Sequence, residues 1–146
     1  MCGRRRHKFR QVEHTADKAI EAEGENFGEL LESAAYGMFS LIADLEGLEP
    51  QGWEEVEVEG AASPEDLLHD FLDELLYRHE VERKVYCRFE VLELDPEAGR
   101  LRARAGYGPL DSVKDRVFGY VKAVTYHNLE IRRDDGGYRV TVVFDT

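Results

Sequence analysis

Two stretches of this chain repeat apolar residues every three or four positions, and most of what surrounds them alternates. In the first, Leu30, Leu31, Ala34, Ala35, Met38, Phe39 and Ile42 mark one face of a helix. Asn26 can cap it, and the spacing predicts a helix over 27–45, ended by the Gly-Leu-Glu-Pro run at 47–50. In the second, Leu67, Leu68, Phe71, Leu72, Leu75 and Leu76 form the stripe. Ser63 followed by Pro64 is a strong helix start, with Asp66 placed to complete a shortened capping box. This helix is expected to run to about Arg83, with Asp70, Asp73, Glu74 and Arg78 on its other face.

The remaining segments read as strands. Residues 9–14 and 19–23 are close enough to form a hairpin, with the polar run "EHTAD" at its mouth. "EEVEVEG" at 54–60 alternates acid with valine, the mark of a strand with one buried and one wet face. Strands over 84–95 and 100–107 are joined by the turn Asp-Pro-Glu-Ala-Gly at 95–99. Residues 108–115 read as a loop or short helix, and 120–133 as a long β-rich run. "DDGG" at 134–137 is a hairpin turn into a last strand ending at Asp145 and Thr146. Hairpin strands with two separate helices predict an α+β fold. The expected form is a two-layer sandwich, a mostly antiparallel sheet with the two main helices on one side.

At 146 residues the chain is one ordinary domain, long enough to bury a core without disulfides or metal. A basic flexible tail over 1–8 and a single domain over 9–146 are expected. No apolar run reaches the ~20 residues that span a bilayer, and no apolar stretch follows the basic start. A cytoplasmic protein without membrane contact is the expectation. Cys2 and Cys87 stand far apart, with no C-x-x-C, and are expected to be free thiols.

Net charge is −12, and it is uneven. Arg4, Arg5, Arg6, Lys8 and Arg10 gather positive charge in the first ten residues, so the rest is more acidic still. Such a body repels phosphate backbones, which argues against direct nucleic-acid binding. It suits a metal ion or a protein with a basic groove. No Walker sequence, G-x-G-x-x-G, H-E-x-x-H or G-x-S-x-G is present.

Chemistry concentrates at two places, His14 to Asp17 and the terminal Phe144-Asp145-Thr146. If the last strand lies beside the first hairpin, Asp17, Asp145 and an α-carboxylate converge. They would repel by about 1 kcal/mol per pair even in water. A divalent cation resolves that repulsion, and all-oxygen donors favour a hard ion such as Ca2+, Mg2+ or Mn2+. Solvated acids at strand ends are the plainer alternative. His14 and His127 are too far apart in sequence, and too far from cysteine, to read as a zinc site. Lys122 either points to solvent or neutralises the carboxylates.

Together, "VEHTAD" at 12–17, "LLESAAYGMFSLIADL" at 30–45, "LLHDFLDELLY" at 67–77 and "VKAVTYHNLEI" at 121–131 resemble the archease family, as does the last strand ending in Asp. The segments stand in family order and span nearly the whole chain after residue 9. The resemblance implies a compact α+β sandwich and an accessory protein, not an enzyme. Archeases activate the RtcB-type RNA ligase of tRNA splicing, promoting its guanylylation and its multiple turnover. A general chaperone or RNA-modification helper is the alternative. The resemblance also implies a bound divalent ion, calcium foremost with Mg2+ or Mn2+ as alternatives, held by Asp17, Asp145 and Thr146, the last through a main-chain or terminal oxygen. It implies no catalytic residue and leaves room for an oligomer. His14, Lys122 and His127 are candidates for supporting the ligands or for partner activation. Three positions depart from the family pattern: Lys18, Asp73 and Asp115. Asp115 stands where a histidine is common.

Overall fold

A computed structural model describes residues 7–13 and 17–146, so His14, Thr15 and Cys2 lie outside the described residues. The chain opens with a hairpin, β1 (Lys8–Glu13) and β2 (Lys18–Gly24), followed by α1 (Phe27–Ser40). Next come β3 (Gly52–Val58), α2 (Pro64–Glu82), β4 (Lys84–Asp95) and β5 (Arg100–Pro109). A short α3 (Leu110–Val113) runs into a 3-10 turn, Lys114–Arg116. The chain closes with β6 (Ala123–Val124), β7 (Arg132–Asp134) and β8 (Gly137–Asp145).

The fold is α+β, and its strands divide into two antiparallel sheets. One has the order β1-β2-β8-β6, with β7 also pairing β8; the other is β3-β5-β4. Each main helix touches both sheets. α1 packs on β1, β2, β8 and β4, and α2 on β3, β4, β6 and α1. That position explains why α1 is buried on nearly every side, including Glu32 and Ser33. Gly37 lets the layers approach there: a Cβ would stand 2.7 Å from Ile20 Cδ1 of β2, and that side chain would have to shift.

Local chemistry sets the helix starts. Asn26 accepts from the Glu29 N–H at 2.9 Å, and Ser63 Oγ from the Asp66 N–H at 3.0 Å. α2 stops at Arg83, which takes the left-handed conformation at φ 57°. The first helix ends sooner than its apolar stripe suggests. Leu41, Ile42, Ala43 and Leu45 stay buried, but as a loop, because the chain at 117–119 pairs with them. Ala43 bridges Val117, and the N–H groups of Phe118 and Gly119 both donate to Ile42 O. The β-rich run over 120–133 also contracts, to the two residues of β6 and the three of β7.

The core is continuous across both layers. Phe39 lies at its centre, edge-on to Tyr86 and His79 and stacked on Phe89. Beside it, Glu54 of β3 accepts from the Tyr86 hydroxyl and from Lys84 Nζ at 2.7 Å, with Arg78 at 3.3 Å. Burial alone would raise the Glu54 pKa, but those hydrogen bonds and the charges of Lys84 and Arg78 overcome it and hold the carboxyl below its usual range. Cys87 is a buried free thiol, its pKa pushed up to about 11 by desolvation. Among the described residues no helix is long and apolar enough to cross a membrane.

Candidate functional site

The first hairpin and the last strand meet as neighbours. β2 and β8 pair in register from Gly24↔Tyr138 to Lys18↔Phe144. One further step of that register sets Asp17, the residue before β2, across from Asp145, the last residue of β8. Side chains alternate along a strand, so these two positions share the face opposite Phe144. Phe144 is buried, Asp145 exposed and Asp17 half-buried. On the other side of β8, Ala123 of β6 pairs with Asp145. The Lys122 N–H donates to the Asp145 carbonyl at 2.7 Å. Asp145 is therefore flanked by Asp17 on one side and by the main chain of Lys122 on the other.

The remaining candidate residues divide around this point. Thr146 follows Asp145 directly and is exposed. The Lys122 side chain is exposed, and among the described residues its ammonium forms no ion pair with Asp17 or Asp145. His127 sits in the turn after β6, where its N–H donates to Thr125 Oγ1 at 3.2 Å and its ring meets Asn128. Among the described residues no three of His, Cys, Asp and Glu gather as a metal-holding group. A cation at Asp17 and Asp145 would take its further protein donor from another oxygen, and Thr146 supplies a main-chain one. This donor set is all oxygen, which fits a hard divalent ion and not zinc.

β6 is held to β8 by their own ladder and to α2 by a contact that sequence reasoning missed. His69 reaches across from α2: its Nε2 meets Val124 O at 3.1 Å and its Nδ1 meets Asp70 Oδ1 at 3.2 Å. The Tyr126 ring stacks on His69 with centroids 4.0 Å apart and planes 14° from parallel. Its phenol donates to Asp66, with Asp70 and Asp73 nearby. The desolvated stacked face, the Asp66 hydrogen bond and these carboxylates raise the Tyr126 pKa to about 12. The Ile131 N–H donates to Glu65 Oε2 at 3.0 Å, and Thr125 bonds Val143 O through both its N–H and its hydroxyl. The segment 117–131 is thus a strap tied to α1's exit, to β8 and to α2. His69 and Tyr126 lie in "LLHDFLDELLY" and "VKAVTYHNLEI", two of the segments that carry the family resemblance, but nothing local to either segment signals the contact.

Asp115 lies exposed in the 3-10 turn before the strap. Its neighbour Arg116 fixes that turn by donating to the carbonyls of Asp44 and Glu46.

Comparison with known proteins gives a consistent answer. Residues 9–146 match the model of the Archease protein family (MTH1598/TM1083). The chain is 40% identical over 138 residues to protein archease of Methanopyrus kandleri, covering 94% of this chain and 98% of that one. It is 36% identical over 140 residues to protein archease of Pyrococcus abyssi, with the same coverage. The solution structure of Methanobacterium thermoautotrophicum protein 1598 superposes with a TM-score of 0.77 at 30% identity, over 94% of this chain and 98% of that one. The crystal structure of a Thermotoga maritima archease, described as a possible chaperone, has a TM-score of 0.54 at 23% identity, covering 97% of this chain and 100% of that one, a likeness of fold.

Proposed function

The chain belongs to the archease family, and on that premise we propose that it is an accessory protein that activates an RtcB-type RNA ligase in tRNA splicing. It promotes guanylylation of the ligase and carries it through repeated turnovers. The observation that supports the reading is the β2–β8 ladder, whose register, carried one step past Lys18↔Phe144, runs from Asp17 to Asp145 at one end of a sheet, in a chain of this family.

Asp17, Asp145 and a main-chain oxygen of Thr146 are the groups that would hold a divalent ion, calcium foremost. The ion, when bound, supplies charge that neutralises the paired acids and a centre around which carboxylates can be presented to the ligase. The chain's own residues do the rest. β2 and β8 fix the spacing of the two acids through their ladder, and the strap pins Asp145 from the other side through the Lys122 N–H. The acidity of the body favours association with a basic groove and disfavours direct contact with RNA.

The test is ligation by a cognate RtcB-type ligase with RNA in excess, with and without this protein. Conversion is expected to rise from about one turnover to many, and Asp17→Ala is expected to remove that rise while leaving the fold intact. A competent ligase whose turnover is unchanged by the wild-type chain overturns the proposal and moves the reading to a general chaperone. A fully active Asp17→Ala variant removes the ion from it.

A further inference from the structure

Among the described residues, helix α2 carries a face that is left largely exposed. Tyr77 and Val81 are exposed at 58% and 60%, both large apolar residues on a helix whose other side is core. Asp66, Asp70, Asp73 and Glu80 recur with them at three- and four-residue steps, so the six side chains form one stripe along the outside of the helix. Tyr126, 53% exposed, extends the stripe sideways from the strap, where it is bonded to Asp66.

The carboxylates of this face differ from several on the two sheets, which are paired with arginine. On the outer side of the second sheet, Arg102 pairs with both Glu55 and Glu93, and Arg104 with Glu90, each at 3.1 Å. On the first sheet Arg10 pairs with Glu21 at 3.1 Å. Along α2, by contrast, no lysine or arginine among the described residues pairs with Asp66, Asp70, Asp73 or Glu80. Asp70 has only His69. Like charges three and four apart on a helix repel. A helix that keeps such a row, interleaved with bare tyrosine and valine, is under-stabilised alone and complementary to a partner of opposite sign.

We propose that this face of α2, with Tyr126, is a docking surface for a partner protein segment that carries lysine or arginine among apolar side chains, and that this segment belongs to the ligase. The proposal rests on the function put forward above. Tyr77, Val81 and Tyr126 are the apolar anchors and the carboxylates set orientation and encounter rate. Nucleic acid is unsuited to a surface of this sign. Because Tyr126 belongs to the strap that bonds Asp145, occupancy of the face bears directly on the geometry of the Asp17–Asp145 end.

The experiment is calorimetric titration of the intact protein into a cognate RtcB-type ligase, for the wild type and two double variants, Tyr77→Ser with Val81→Ser and Asp73→Lys with Glu80→Lys. All four positions are exposed, so the fold is kept, and circular dichroism checks it. Each double variant is expected to bind at least tenfold more weakly, and wild-type affinity is expected to fall as salt rises. The calcium-dependent thermal shift of the variants is expected to match the wild type. Affinity within threefold of wild type in both variants, with the wild type binding and activating, overturns the docking surface and leaves the function standing. A wild type that fails to bind a competent ligase overturns both. Self-association of the wild type that both variants abolish assigns the face to a second copy and overturns the proposal.

Discussion

The ring of Tyr126 lies on the ring of His69, 4.0 Å between centroids, and through this stack the strap is fastened to α2. His69 also meets Val124 O, so one side chain holds both β6 and Tyr126, two residues beyond it. His69→Ala is expected to lower stability by about 1–2 kcal/mol, the sum of a hydrogen bond and an aromatic contact. Urea titration measures the loss. Amide exchange is expected to show faster exchange at Thr125 and Lys122 before any change in the helices. Uniform protection across the strap in the variant contradicts the fastening role.

Tyr126 gives a second, optical check. Its pKa is raised to about 12, above the ordinary value of 10. A group whose folded pKa is raised contributes stability that is complete below its unfolded pKa and is lost as pH climbs through the folded one. The strap is therefore expected to hold to about pH 10 and to loosen between there and 12. Difference absorbance of tyrosinate, wild type against Tyr126→Phe, isolates this ionisation; a midpoint near 10 refutes it.

Glu54 controls the opposite end of the pH scale. Its carboxyl is held below the usual range, so its contribution is present above the unfolded value near 4.5 and fades as pH falls through the folded one. Glu54→Gln removes the shared partner of Lys84 and Arg78, which keep Glu82 and Glu74, and about 1–2 kcal/mol is expected to be lost at pH 7. Denaturant midpoints at pH 7 and pH 3 are expected to show the gap between variant and wild type shrinking in acid. An equal gap at both pH values contradicts the network.

Phe39→Ala removes the ring that Tyr86, His79 and Phe89 surround. A loss of about 3–5 kcal/mol is expected, read from the same denaturant titrations. The thiol of Cys87, buried beside this cluster with its pKa near 11, is expected to resist alkylation in the native state and to react on unfolding, as mass spectrometry of the peptide reports.

Calcium is expected to raise the melting temperature of the wild type, and chelator to reverse the rise. At a hundredfold excess over Kd the stabilisation is about 2.7 kcal/mol. Asp17→Ala and Asp145→Ala are each expected to remove it. A calcium response that survives both substitutions locates the ion elsewhere.

The helices were legible because their signals are local. Asn26 and Ser63 cap at the positions their sequence suggests, and Arg83 ends α2 within a residue of expectation. The end of α1 was not legible, since Ile42 and Ala43 leave the helix to meet Val117, Phe118 and Gly119 from far along the chain. The same holds for 120–133. That stretch has strand composition, but α2 side chains take up groups a longer ladder would have used: Val124 O goes to His69 and Ile131 N–H to Glu65. The division into two sheets rests on pairings such as Lys18↔Phe144 and Gly52↔Tyr107, which no local pattern encodes. Of the candidate site, the acids at the two strand ends could be read from residue type alone. The His69–Tyr126 stack could not, because each ring by itself reads as an ordinary member of a helix or a strand.

The order β1-β2-β8-β6 has a kinetic meaning. β8 comes last in the order of elements, yet it is an interior strand of its sheet, and its partner β2 belongs to the first hairpin. Folding must close nearly the whole chain into a loop before that ladder gains anything, a high-contact-order step that is slow by nature. The second sheet, built from β4 and β5 joined by a tight turn and from β3 nearby in sequence, can assemble first. Asp17 and Asp145 therefore lie at the end of a ladder that only this long-range closure forms, so any nearness between them depends on pairing across the domain and not on a local element.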